Sequence, residues 1–347
     1  MEISFIGTER GIESKVLPKE GFPLKTIHSA GLLGKKGSGR IKSLMKLPLG
    51  IFQAMSYLAK PRASLVVGVG GYVSGPAVLA AWILRIPTLI HEQNSYPGMT
   101  NRMLGKIVNK IAISFEESKS FFPEKKVTWT GNMIREEFSQ EQESNRVDES
   151  KKFTLLILGG SQGAHSINMA MNDALPHLQS ERENLHIVHQ TGEQDCDHMQ
   201  RQYEESEFSA DARAFIYDMA DQVRQADLIL CRAGATTIAE ITACGKAAIL
   251  VPFPFAADNH QEKNAQVLET GGAGEMILDR DLNGERLSQS ILNAMQNPEQ
   301  LQKTAEHSYR LGNRAATENV KQLCHQLLRM TPLSGSTAKN HVALSCI

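Results

Sequence analysis

The segment Leu155-Leu-Ile-Leu-Gly-Gly-Ser-Gln-Gly-Ala-His-Ser-Ile-Asn168 runs from an apolar strand through glycines directly into a helix. That order of residues suits an anion. Gly159, Gly160 and Gly163 let the backbone approach a phosphate, Ser161 adds a hydroxyl, and the helix N-terminus offers unpaired N–H groups with positive partial charge. A tight turn that needs glycine for packing alone is the other reading. No Gly-Lys-Ser/Thr follows, so this is not a Walker loop. Val67-Gly-Val-Gly-Gly-Tyr-Val-Ser-Gly-Pro76 repeats the device with Gly70, Gly71, Tyr72 and Ser74, and Pro76 suits the first turn of a helix. A dinucleotide fingerprint would want a third glycine where Val73 stands, although Glu92 falls near the acidic position such a motif needs.

Further polar clusters sit at strand ends. His91-Glu-Gln-Asn94 closes the apolar run Thr88-Leu-Ile, at the carboxyl edge where open α/β sheets take ligands. His91, with Glu92 and Asn94 beside it, reads as a sugar or acceptor contact, and a structural strand-end histidine is the other reading. In Cys231-Arg-Ala-Gly-Ala-Thr-Thr-Ile-Ala-Glu240 a strand turns on glycine into a helix, with Ala235 and Thr236 at its start and a carboxylate able to accept two vicinal ribose hydroxyls. Asp195-Cys196-Asp197 has the form of a metal-holding Asp-x-Asp, but no other carboxylate cluster accompanies it, and it reads as a solvated charge run.

These motifs need parallel sheets to position them. Strand-like runs at Ile3–Ile6, Leu65–Val69, Thr88–His91, Ile111–Ser114 and Val127–Thr130 alternate with helical stretches. A second set follows at Leu155–Leu158, Leu185–His189, Ala214–Tyr217, Leu228–Cys231 and Ala248–Val251. The fold class expected is α/β, two Rossmann-like domains facing across a cleft: 1–135, a polar linker at 136–152, and 153–330, with a helix over Glu318–Arg329 and a frayed tail at 331–347.

Composition narrows the class. With 41% hydrophobic and 22% charged residues and no biased tract, the chain is neither disordered nor fibrous. The 5 cysteines are dispersed, so neither a disulfide framework nor a zinc site is indicated. Neither a signal peptide nor a span of roughly 18 to 20 apolar residues is visible; Pro76–Ile90 is broken by Arg85 and Pro87. The net charge of -1 conceals an asymmetry: residues 1–135 hold 19 Lys and Arg against 8 Asp and Glu, and the remainder 18 against 30. Without a nucleic-acid motif, a basic half suits an anionic membrane surface or a pyrophosphate, or serves solubility alone.

Taken together and in order, these motifs resemble the peptidoglycan N-acetylglucosaminyltransferases, the MurG family of two-Rossmann-domain (GT-B) enzymes. Gly7-Thr-Glu-Arg-Gly-Ile-Glu13 and Asp258-Asn-His-Gln-Glu-Lys-Asn264 extend the match from about Ile3 to Met330. The resemblance implies inverting transfer of GlcNAc from UDP-GlcNAc to the C4 hydroxyl of lipid I, without a cofactor or metal. It places Ser161 and the Gly159–Gly163 loop at the diphosphate, the Ile216 main chain at uracil and Glu240 at the ribose. Arg135 reaches the leaving group, while Gln261 and His260 hold the sugar and Asn94 faces them. Met133 stands where members usually carry Pro, a change expected to loosen that turn. A UDP-GlcNAc 2-epimerase or a UDP-sugar-binding chain without turnover are the alternatives.

Members begin with a strand, a Gly-Gly-Thr-Gly-Gly-His loop and a helix ahead of the position of Ile3. The histidine usually proposed as base lies in that loop, so the expectation here is an incomplete first sheet, an unassigned base with His91 and Glu92 as the nearest substitute proton acceptors, and a start about 30 or more residues upstream, the size of a βαβ unit less one strand. The lipid acceptor implies a peripheral enzyme on the cytoplasmic face of the membrane. Lys35, Lys36, Arg40, Lys42 and Lys46 flank Leu44, Leu47, Leu49, Ile51 and Phe52, a basic and apolar pattern fit for interfacial docking or, alternatively, a core helix. Replacing those lysines by Glu is expected to lower co-sedimentation with anionic vesicles, and unchanged binding would sink the docking reading.

Overall fold

The computed structural model describes residues 2–9, 11, 13–29, 38–60, 62–140, 152–160, 162–329 and 341–345, with backbone alone at 38–46. Two compact units emerge: Met1–Gly131 with Ala316–Ile347, and Asn132–Ala315. Two α/β domains were expected, but the division falls elsewhere. The helix Ala316–Arg329, with Val320, Leu323 and Leu327 buried, belongs to the first unit. Glu136–Ser139 is a helical turn of the second unit, and the remainder of the expected linker from 141 to 151 lies outside the described residues.

In the first unit the strands are β1 (Glu2–Gly7), β2 (Leu24–Thr26), β3 (Leu65–Gly68), β4 (Thr88–Glu92), β5 (Lys110–Ile113) and β6 (Val127–Trp129). The second holds β7 (Phe153–Leu158), β8 (Leu185–Gln190), β9 (Ser209–Arg213), β10 (Leu228–Cys231), β11 (Ala247–Leu250) and β12 (Gly274–Met276) in the order β12-β11-β10-β7-β8-β9. Its pairings are parallel. Interior strands β10 and β11 are buried at every residue, as continuous apolar runs covered on both faces must be. The expected strand at Ala214–Tyr217 is instead β9, one segment earlier. Ser209–Arg213 is polar because β9 is an edge, bonded only to β8, so apolarity is no guide to it.

The larger departure is in the first sheet. Its order is β2-β1-β13-β3-β4-β5-β6, where β13 is His341–Ser345, from the stretch read as a frayed tail. β13 runs parallel to both neighbours, pairing Glu2–Ile6 on one side and Leu65–Gly68 on the other. The interior position expected to be empty is therefore filled. Val342 and Ala343 are buried, and Ser345 Oγ lies 2.9 Å from Ser74 Oγ. Five residues carry no readable period, and their burial comes from partners hundreds of positions away in sequence.

Pro at position 343 would remove a ladder N–H from an interior strand and leave a buried acceptor unpaired, a cost of about 1–3 kcal/mol before any clash of the ring. Ala343→Pro is therefore expected to speed hydrogen exchange in β1 and β3 while β7 and β10 keep their protection. Equal protection in β1 and β3 before and after would show that the first sheet does not depend on β13.

Candidate functional site

In the second unit β7 ends at Leu158 and the helix His165–Ala174 begins after the glycine loop. Two glycines there answer to packing. A Cβ on Gly159 would sit 2.5 Å from Ala164 N, and one on Gly163 (φ 77°) only 2.1 Å from Thr191 O. Gly160 also has positive φ, yet a Cβ there would meet nothing within 4 Å, so its backbone faces open space. The loop is thus both a tight turn and an accessible cradle.

Gln190, buried at the end of β8, bolts this loop to the next segment. Its Nε2 donates to Gly160 O at 2.8 Å, and its Oε1 accepts the Ile216 N–H at 2.9 Å. A cavity of about 860 Å³ opens over these groups, lined among others by Gly160, His165, Ile216, Thr236, Glu240 and Gln261. That volume suits a ligand of small-molecule or cofactor size. Phe215, Phe253 and Phe255 add apolar walls, Phe253 and Phe255 meeting edge to face at 5.6 Å.

Charge enters the cavity in pairs. Arg135 Nε donates to Glu240 Oε1 at 3.0 Å, and its guanidinium lies 4.7 Å from the Phe138 ring centroid. Burial raises the Glu240 carboxyl, and the Arg135 hydrogen bond and charge oppose that shift. Arg232 Nη1 donates to Asp279 Oδ1 at 2.5 Å and to the carbonyls of Val251 and Pro252, while Nη2 donates to Ser166 Oγ. One guanidinium so joins the ends of β10 and β11 to the helix after the glycine loop.

In the first unit His91 and Glu92 end β4 inside the protein. His91 Nε2 donates to Gly131 O at 3.2 Å and Nδ1 accepts from Gln93; burial pushes its pKa down to about 4, the Gly131 bond opposing. Glu92 accepts from Asn94 N, Gly98 N and Asn101 Nδ2, the last at 2.8 Å, so its carboxylate ties the 94–98 loop to the helix behind it. Burial nonetheless raises its pKa. Beside them Ser74 is buried and donates to Gly70 O, whereas Tyr72 is exposed.

Residues 1–113 match the glycosyltransferase family 28 N-terminal domain, and residues 154–327 the glycosyltransferase family 28 C-terminal domain. Over 330 residues the chain is 44% identical to the UDP-N-acetylglucosamine--N-acetylmuramyl-(pentapeptide) pyrophosphoryl-undecaprenol N-acetylglucosamine transferase of Myxococcus xanthus, covering 95% of this chain and 86% of that one. The Geobacter sulfurreducens enzyme of the same name is 46% identical over 323 residues, 92% of this chain and 88% of its own. The crystal structure of Acinetobacter baumannii MurG superposes with a TM-score of 0.78 at 32% identity, covering 94% of this chain and 91% of that chain. The chain belongs to the MurG family of glycosyltransferases. A UDP-GlcNAc 2-epimerase from Neisseria meningitidis aligns at a TM-score of 0.57 and 13% identity, a likeness of fold alone.

Among the residues the family resemblance singles out, Arg135, Gly159, Gly160, Gly163, Ile216, Thr236, Glu240 and Gln261 line one cavity of the second unit. His260 and Ala235 are outside that lining; His260 donates to Ala257 O instead, and Ser161 lies outside the described residues. Gly70, Gly71, Tyr72, Ser74, His91, Glu92 and Asn94 belong to the first unit. Both proposed proton acceptors are buried and hydrogen-bonded within the first unit. Sequence reasoning passed over Gln190, Ser166, Arg232 and Asp279. A glutamine ending an apolar strand, in His189-Gln-Thr-Gly192, was the available signal for the first.

The His91 geometry predicts acid lability. The unfolded chain takes up this proton near 6.5 and the folded chain only near 4, so the stabilisation is complete above about 6.5 and is lost as pH falls toward 4. A loss on the order of 2–3 kcal/mol follows from a shift of that size. Trp82 and Trp129, the chain's 2 tryptophans, both lie in the first unit and report it selectively. Urea unfolding followed by their fluorescence is expected to weaken between pH 6.5 and 4.5 in the wild type and much less in His91→Gln; parallel pH dependences would exclude His91 as the source.

Proposed function

We propose that the chain transfers GlcNAc from UDP-GlcNAc to the C4 hydroxyl of the MurNAc unit of lipid I, forming lipid II with inversion at the anomeric carbon. One observation carries this reading: a cavity that combines an open glycine loop at a helix N-terminus, a tethered main chain at Ile216 and a half-buried carboxylate at Glu240. Those are the features needed for a diphosphate, a pyrimidine and a ribose diol respectively. The transferases to which the chain is similar are named for the same reaction. UDP leaves with its developing charge met by the helix N-terminus and Arg135, preorganised donors that act in place of a metal. Gln261, whose Oε1 accepts from Phe253 N at 2.9 Å, lines the same cavity, which supports its assignment to the sugar hydroxyls.

The membrane-bound acceptor gives the basic half of the chain a partner. The helix Ser38–Ala59 forms as an element with two faces, Ala54 and Leu58 buried and Leu49 and Phe52 exposed, the latter by 72%. That division supports interfacial docking at the cytoplasmic leaflet over a fully buried helix. Leu47 is exposed and Ile51 partly so. Lys35 and Lys36, and the side chains of Arg40, Lys42, Leu44 and Lys46, lie outside the described residues.

The burial of His91 and Glu92 favours a second reading, UDP-sugar binding without turnover. Incubation with UDP-GlcNAc and a lipid I analogue separates the two: UDP release with a β-1,4-linked product supports transfer, whereas donor binding without UDP release supports the rival. In the transferring enzyme Glu240→Ala removes the ribose acceptor and is expected to raise the donor KM about tenfold or more, the value of one or two hydrogen bonds to a charged group. An unchanged KM would remove Glu240 from the donor site.

A further inference from the structure

The Asp195-Cys196-Asp197 segment, read from sequence as a solvated charge run, touches the cavity lining through one contact, Asp195 to His165. Asp195 is partly buried, and both its carboxylate oxygens face His165 Nδ1, at 3.1 and 3.0 Å. Its Oδ2 also accepts from Asn168 Nδ2 at 2.7 Å. Behind that contact a directional chain reaches the core. Asn168 donates its second N–H to Thr191 O, and its Oδ1 accepts from His189 Nε2 at 3.0 Å, which leaves His189 Nδ1 to accept from Tyr203 at 2.8 Å. Every donor and acceptor in this chain is assigned by its neighbours, and His189 and Tyr203 are buried. Burial pushes the His189 pKa down to about 3, the charge of Asp195 opposing, so that ring stays neutral at physiological pH and serves as framework.

The consequence falls on His165. It is the first residue of the helix that follows the glycine loop, it is exposed, and it lines the cavity. With Nδ1–H given to Asp195, Nε2 is the nitrogen left for a ligand, and it donates there when the ring carries both protons. Burial alone would raise the Asp195 carboxyl, but hydrogen bonds from His165 and Asn168 hold it below its ordinary range, so the partner stays ionised. No second acid is needed at the loop.

We propose that His165 is a further leaving-group residue, donating from Nε2 to the diphosphate of the nucleotide donor, and that Asp195 positions it. This rests on the reading of the cavity as the UDP-sugar site. The test uses the full chain and compares binding of UDP with that of uridine, which shares the base and ribose but lacks phosphate. His165→Ala is expected to bind UDP about tenfold more weakly with uridine unchanged, the size of one charge-assisted hydrogen bond. His165→Arg is expected to restore most of that loss, because a fixed cation replaces the imidazolium. Asp195→Asn should lower the UDP-to-uridine preference by a smaller factor, about threefold, and His165→Arg placed in the same chain should recover it. An unchanged preference in His165→Ala overturns the proposal. So do equal losses for UDP and uridine, which would mean that the pair builds the pocket and does not read phosphate. A wild-type chain that binds no UDP at all instead removes the donor-site reading, a result distinct from normal UDP binding that is indifferent to His165.

Discussion

The close approach of two backbones, at Gly163 and Thr191, sets the geometry of the second unit's site. A methyl group at Gly163 would overlap Thr191 O at 2.1 Å, and one at Gly192 would meet Gln162 O at 2.7 Å, so the glycine loop lies flat on the end of β8. Everything nearby uses that contact. Gln190 can reach Gly160 and Ile216 at once, Asn168 can reach Thr191 O, and Asp195 comes within reach of His165. A parallel sheet delivers strand ends to one edge. The paired glycines turn that edge into a surface on which side chains from separate segments converge.

The first unit applies the same architecture to a different end. Its β4 also closes on consecutive polar residues, but Glu92 and His91 turn inward and saturate themselves on Asn94, Gly98, Asn101, Gly131 and Gln93. Such a buried network, hydrogen-bonded apart from Asn101 Oδ1, fixes a loop because losing one partner strands a charge or a dipole away from water. The contribution of β13 is of the same kind. It supplies ladder partners to β1 and β3, two strands that would otherwise present unpaired edges within one sheet.

What was legible in the sequence follows from which forces are local. Buried parallel strands such as β3, β7, β10 and β11 are continuous apolar runs and show themselves. The glycine loop was legible because strand, glycine and helix adjoin in sequence, and Glu240 because its own helix carries it to the cavity. Edge strands β2, β9 and β12 lack an apolar signature, their residues being only partly buried. The role of Arg232 was hidden for a further reason: its partners Ser166 and Asp279 stand 66 and 47 positions away. His91 and Glu92 show the converse failure. Polar residues at a strand end announce that something must satisfy them, yet nothing local says whether that is a ligand or the fold itself.

Charge pairing explains how an acidic part of the chain can hold an anion. Residues 132–315 hold 16 Lys and Arg against 29 Asp and Glu, so no long-range field draws a diphosphate to the second unit. Its cavity arginines and His165 come with carboxylates attached: Arg135 with Glu240, Arg232 with Asp279, His165 with Asp195. A diphosphate therefore gains little from net charge and must gain from direction. On the reading of this cavity as the UDP-sugar site, each carboxylate fixes one side of its partner, and the loop and helix N–H groups add dipoles that need no counter-ion. On that same reading orientation, not net charge, holds the anion, and the carboxylates keep the basic side chains in place once it has gone.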